Sequence, residues 1–177
     1  MQLGAKQRSY LRYLDIFFST DATALLTGNR IAVERFAIDA SSVTAGTGTT
    51  VAVSGMSGSG NKLQLDFGAT GLGGLREAGN GFYRVRLDLN QDGDFTDSVD
   101  QAFEFYRLFG DVNGDAVVDV VVDVVDTNFV TGQMGRSGSG LDGDVDGNGT
   151  VNATDRLYTT QQRGKKLLPA LLGWLDD

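Results

Sequence analysis

Gly143-Asp144-Val145-Asp146-Gly147-Asn148-Gly149-Thr150-Val151-Asn152-Ala153-Thr154-Asp155 sets an oxygen-bearing side chain at alternate residues and closes on an aspartate. With Asp144 as position 1, oxygen side chains fall at positions 1, 3, 5, 9 and 12, glycine falls at 6, and Thr150 at 7 offers its backbone carbonyl. A divalent cation demands such a spacing. Ca²⁺ takes about 6–8 hard oxygen ligands at roughly 2.3–2.6 Å, and a chain winding round the ion turns alternate side chains inward. Gly149 permits the positive φ of the tight turn. The expected ligands are Asp144, Asp146, Asn148, the Thr150 carbonyl and Asp155, with Asn152 ligating directly or through a water. Asp155 would close the shell, and its charge suits the start of the helix expected to follow.

The pattern is that of an EF-hand loop, and it occurs twice. Gly110-Asp111-Val112-Asn113-Gly114-Asp115-Ala116-Val117-Val118-Asp119 repeats its opening. Here Asp111, Asn113 and Asp115 take positions 1, 3 and 5, and Asp126 aligns with Asp155 as the closing ligand. The copy is damaged. Ala116 stands where glycine is wanted, and left-handed backbone there costs about 1–2 kcal/mol. Between Asp115 and Asp126 the chain runs four residues too long, as if a Val-Val-Asp unit had slipped, so position 9 is open between Asp119 and Asp123. The second loop is therefore expected to bind more tightly than the first. A third candidate, Asp88, Asn90, Asp92 and Asp94, has oxygens at positions 1, 3, 5 and 7 but Val99 at 12. It reads equally as the turn of a β-hairpin, for which Asp92-Gly93 is a good signal. The cofactor expected is thus Ca²⁺, two ions from the repeated loops and a third if Asp88–Asp94 ligates.

Each repeated loop ends in Asp and runs into a short amphipathic stretch, Asp126–Met134 and Ala153–Arg163, with Arg136–Leu141 between them. No helix is evident before either loop. Over Gly110–Lys166, one third of the chain, this doubled loop–helix pattern resembles the type I dockerin modules of secreted and surface bacterial proteins. The resemblance implies two units related by pseudo-twofold symmetry, and a cohesin-type domain as partner. It further implies that Phe129-Val130 and Leu157-Tyr158, at matching helix positions, face either that partner or the module's own core. Because the best-known members attach carbohydrate-active enzymes to scaffolds, it also brings in polysaccharide breakdown and an extracellular or cell-surface location.

Upstream the texture is β. Asn61–Phe67 alternates polar and apolar residues, and Phe82–Asp88 sets Tyr83, Val85 and Leu87 on one face against Arg84 and Arg86 on the other. Tyr10–Ser19, Arg30–Ile38, Thr49–Val53 and Gln101–Leu108 are further strand candidates, with Gly/Ser-rich turns read at Thr44–Gly48 and Gly55–Gly60. Many short strands with no helical period between them predict an antiparallel sandwich. The fold class expected is α+β: an N-terminal antiparallel β-sandwich over 1–108, a dockerin-like pair of calcium loop–helix units over 109–167, and an apolar tail over 168–177.

Charge separates the two regions. From Phe109 to Asp155 there are nine Asp and one base, Arg136, a surplus of eight that equals the net charge of −8; the remaining residues hold fourteen acids and fourteen bases. So dense an acidic block disfavours nucleic acid and anionic membrane as partners. It predicts calcium-dependent folding of 110–166, while the charge-balanced strands are expected to stand without calcium. No apolar run approaches the ~20 residues of a membrane span. Met1–Lys6 has no apolar signal core, so an export signal is expected outside this chain. Without His or Cys the usual nucleophile–base arrangements cannot be assembled, and Glu34, Glu77 and Glu104 sit in no acid/base context. Binding rather than catalysis is expected. Three readings stay open: a calcium-stabilised docking module with a β-sandwich companion, the end of a polysaccharide-degrading enzyme whose catalytic part lies elsewhere, and a calcium-rigidified structural or adhesion domain.

Overall fold

The computed structural model describes residues 9–36, 48–114 and 124–165. Seven strands and two helices are formed among them: β1 (Tyr13–Phe17), β2 (Ile31–Phe36), β3 (Thr49–Thr50), β4 (Gly55–Ser59), β5 (Lys62–Asp66), β6 (Gly81–Leu87), β7 (Gln101–Arg107), α1 (Val124–Gln133) and α2 (Ala153–Gln161). Single 3₁₀ turns occupy Thr23–Leu26 and Arg76–Gly79. The strands form two sheets, ordered β1-β5-β4 and β3-β2-β6-β7, and every pairing is antiparallel. The chain is thus of mixed α+β character.

Alternation places the core. Ile16, Leu63 and Leu65 of the first sheet share one buried cluster with Val33, Tyr83, Val85, Leu87 and Phe105 of the second. Tyr83 and Phe105, cross-strand partners, stack with ring centroids 5.5 Å apart. Arg84 and Arg86 leave on the opposite face, as the pattern predicts, but half-buried and paired: Arg84 with Glu104 at 2.9 Å and Arg86 with Glu34 at 2.7 Å. Those two glutamates are structural partners.

The Gly55–Gly60 segment departs from the expected turn. Gly55–Ser59 is strand β4, and only Gly60-Asn61 turns, joining Ser59 to its partner Lys62. Gly60, with φ of 59°, suits the first position of a tight hairpin turn. All five β4 residues are exposed at the edge of the sheet, so no apolar alternation marked them as a strand. Gly58 lies so close to the partner strand that a Cβ would come within 2.6 Å of the Lys62 carbonyl. Position 44–47 of the other expected turn, and residues 37–38 of the Arg30–Ile38 strand, fall outside the described residues.

A second cluster, Phe109, Val112, Val130, Val145 and Val151, is flanked by Phe129, Leu141 and Tyr158 and lies between the helices and loops that follow β7. Several contacts tie it to the strands. Arg107, fully buried, donates through Nε to the Ser9 carbonyl at 2.8 Å and through Nη1 to the carbonyls of Leu72 and Gly74, each at 2.7 Å. Ser9 Oγ accepts from the Gly110 N–H at 2.5 Å, and Asn80 Oδ1 accepts from the Phe109 N–H at 2.6 Å. The Arg76 guanidinium stacks 4.0 Å from the Tyr158 ring centroid and bonds its hydroxyl, and Gln162 Nε2 donates to Glu77.

Candidate metal centre

Asp155 organises the second loop. It lies at the third position of α2, fully buried. Its Oδ1 accepts the N–H of Val145 at 2.8 Å and of Asp146 at 3.3 Å, drawing the start of the loop onto the start of the helix. Its Oδ2 accepts the Asn152 N–H at 2.9 Å while Asn152 Oδ1 accepts the Thr154 N–H at 2.7 Å, a reciprocal capping box. Asn152 Nδ2 donates to the Thr150 carbonyl at 3.2 Å. The side chain read as a ninth-position ligand is thus engaged as the helix N-cap.

The loop is held by its own carboxylates. Asp144 Oδ1 and Oδ2 accept the N–H groups of Asn148 (3.0 Å) and Gly149 (2.8 Å), Asp146 Oδ1 accepts Asn148 N–H at 3.1 Å, and Asn148 Oδ1 accepts Thr150 N–H at 2.9 Å. Gly149 adopts φ of 86°, as its position requires. A short antiparallel bridge pairs Thr150 with Ser137, so the Arg136–Leu141 segment braces the loop as well as connecting the helices. Asp144, Asp146 and Asp155 each bring a carboxylate oxygen within 4.8 Å of the others. Two ligands across an ion of 2.3–2.6 Å bond length are at most about 5 Å apart, so the spacing of this trio could hold a metal ion. A groove of about 600 Å³, lined in part by Tyr10, Arg12, Asp142, Asp144 and Asn148, opens beside it.

Burial pushes the Asp144 carboxyl above the ordinary carboxylate range; the Gly149 and Asn148 N–H groups oppose the rise, and the charges of Asp155 and Asp146 add to it. The sign follows. Ionised Asp144 works against the metal-free fold above its raised pKa, and that penalty is relieved as pH falls through it. Calcium needs the ionised form, so protons compete at a higher pH than they would for a free Asp of pKa about 3.9. Calcium titrated onto this trio should therefore bind more weakly as pH falls, with the loss setting in at a higher pH than for an ordinary carboxylate, read by calorimetry across a pH series; an affinity independent of pH would count against it.

The first loop is drawn to its helix in a similar way. Asp126, buried in α1, accepts through Oδ1 the N–H of Val112 at 2.9 Å and of Asn113 at 3.3 Å, matching the two bonds that Asp155 Oδ1 accepts. Asp111, also buried, accepts the Gly114 N–H at 2.8 Å and the Tyr106 hydroxyl at 3.0 Å. Asp115, Asp119 and Asp123, with Ala116, lie outside the described residues.

Asp88–Asp100 links β6 to β7 as a long loop. Asp88 is buried, and its carboxylate accepts the N–H of Gln91 at 2.6 Å and of Gly93 at 3.1 Å. The acidic group here is Asp92, Asp94 and Asp97, all exposed; it includes two of the candidates and adds Asp97, while the Asp88 carboxylate is not part of it. Asn90 donates to Asp92 and Asp97. Asp100 Oδ1 accepts the Leu89 N–H at 3.0 Å, as Asp155 does for Val145. Counted from Asp88, Asp97 and Asp100 fall at positions 10 and 13, off the 1, 3, 5, 7, 12 spacing, so the sequence pattern did not point to them.

Val130 is fully buried and Phe129 packs beside it; Tyr158 packs against Phe109 at 5.9 Å and against Arg76, while Leu157 is 53% exposed. Among the described residues no helix is long and apolar enough to cross a membrane. Comparison with family models, with curated proteins and with solved structures found no match to this chain. The functional reading therefore rests on the loops themselves.

Proposed function

We propose that residues 109–167 form a dockerin-like calcium-binding docking module, with residues 1–108 as its β-sandwich companion, in an exported or surface bacterial protein. The observation that carries this reading is the convergence of Asp144, Asp146 and Asp155 within 4.8 Å, on a loop that each carboxylate also shapes. Calcium is the cofactor, bound more tightly at Asp144–Asp155 than at Asp111–Asp126. Asp88–Asp97 is the weaker third candidate. The role is binding, not catalysis.

Exposed apolar side chains on the helices and at their ends, Val124, Val125, Met134 and Leu157, supply a surface for a cohesin-type domain. One observation favours a second reading, a calcium-rigidified structural domain: Tyr158, expected to face either a partner or the module's own core, is engaged within the chain by Arg76 and Phe109. Immobilised cohesin-type domains should retain the full chain in calcium and release it in EDTA. Failure to be retained, by a chain that titrates with calcium, would move the conclusion to the structural reading.

A further inference from the structure

Tyr10 belongs to the strand region, yet its ring lies on the second loop. The backbone around it is fixed from the sheet side: the Ser9 carbonyl accepts from Arg107, the Leu11 carbonyl from the Leu72 N–H at 2.7 Å, and the Arg12 carbonyl from the Phe67 N–H at 2.9 Å. Its hydroxyl donates to the Ala69 carbonyl at 3.0 Å. So held, the ring is slotted between two glycines of positive φ, Gly71 (71°) and Gly147 (74°). A Cβ at Gly71 would come within 3.1 Å of Cε2 on one ring edge, and a Cβ at Gly147 within 2.5 Å of Cδ1 on the other. Gly147 is position 4 of the loop, between Asp146 and Asn148, so the ring abuts the backbone that carries two of the expected ligands.

The far end of the loop is gripped from the same side. Asp155 lies in the first turn of α2, and one turn later Tyr158 is stacked under Arg76 and beside Phe109, with Gln162 bonded to Glu77. Both the middle of the loop and the helix that closes it are thereby referenced to the strand region. The ligands need positioning: a carboxylate displaced by a fraction of an ångström leaves the 2.3–2.6 Å shell, and groups that orient ligands without touching the metal are commonly worth 10–100-fold in affinity.

We propose that Tyr10 and the Arg76–Tyr158 contact are positioning groups for the calcium loop, so that calcium binding at Asp144–Asp155 and order in the strand region are linked. This rests on the calcium reading of that loop, and it departs from the independence that charge balance alone suggests for the strands. Linkage is reciprocal: whatever the strand region contributes to calcium affinity, calcium returns as protection of the segments that hold Tyr10 and Arg76.

Two measurements on the full chain test it. Amide hydrogen exchange of the wild-type protein should show faster exchange at residues 67–79 when calcium is removed with EDTA. Calcium titration should show the Asp155-dependent site weakened about 10–100-fold by Tyr10→Ala and largely restored by Tyr10→Phe, which keeps the ring in its slot. In a double-mutant cycle, Gly147→Ala should cost less affinity in the Tyr10→Ala background than in wild type, because the clash is gone while the strain of the backbone remains. Exchange at 67–79 indifferent to EDTA, or wild-type affinity in Tyr10→Ala, would overturn the linkage while the calcium site stands. If Asp155→Ala and wild type titrate alike, the calcium reading itself fails, and the linkage with it.

Discussion

Arg107→Ala should abolish folding of the chain at 25 °C or leave it only marginally folded. The guanidinium is fully buried and donates to three backbone carbonyls, those of Ser9, Leu72 and Gly74, which belong to three separate stretches of chain. Each carbonyl left without a donor in the interior costs about 1–3 kcal/mol, and the emptied volume adds a cavity term. A total above about 4 kcal/mol is a large share of the 5–15 kcal/mol that holds a typical domain together. Arg107→Met fills the space but offers no donor, so it should be nearly as damaging. Arg107→Lys keeps charge and donors on one ammonium that cannot span the fork of carbonyls, and should fall between. Gly79 shows how tightly the group is housed, since its missing side chain is where Nη1 lies. Thermal and urea unfolding of the three variants decides the matter; a loss below 1 kcal/mol for Arg107→Ala would refute the account.

Asp155→Ala should remove the tighter calcium site outright. One substitution deletes a carboxylate from the trio of Asp144, Asp146 and Asp155 and also strips the acceptor from three N–H groups, those of Val145, Asp146 and Asn152. Calorimetry should show wild type binding within the range of sensor and extracellular loops, about 10⁻⁷–10⁻³ M, and the variant silent at that site. At a calcium concentration 100 times the dissociation constant, an occupied site adds about 2.7 kcal/mol to stability. EDTA should therefore lower the wild-type melting temperature and leave that of Asp155→Ala almost unmoved. Asp126→Ala should remove only the weaker site. If it silenced the tighter one instead, the ranking of the two loops would be wrong.

The clustering of carboxylates in the Asp144–Asp155 loop was legible because it is written in residue identity at fixed spacing. Asp144, Asp146 and Asp155 needed only a count along the chain to be brought together. The strands around Leu63–Leu65 and Tyr83–Leu87 were legible for a related reason, since a half-buried sheet imposes a period of two. Strand β4 was not, because Gly55–Ser59 buries nothing and so leaves no period to read. Asn152 shows a different limit. Its oxygen was as eligible for a metal as for a helix N-terminus, and only the course of the backbone decided that the Thr154 N–H would take it. Contacts between distant segments were out of reach altogether. Nothing in Tyr10 or Arg107 announces that one will lie on Gly147 and the other will gather Ser9, Leu72 and Gly74, because those meetings are products of the finished topology.

The exposed border strand bears on how this protein behaves in a crowd. An unpaired sheet border is a template on which another chain can polymerise. Here the template is Gly-Met-Ser-Gly-Ser, without a single β-branched or aromatic residue, the composition least inclined to recruit an extended neighbour. Gly58 cannot easily drift toward a stickier side chain, since the Lys62 carbonyl occupies the space one would need. Steric closeness inside the hairpin therefore holds position 58 to glycine, and a rim of this composition is a poor template for strand pairing between densely packed molecules.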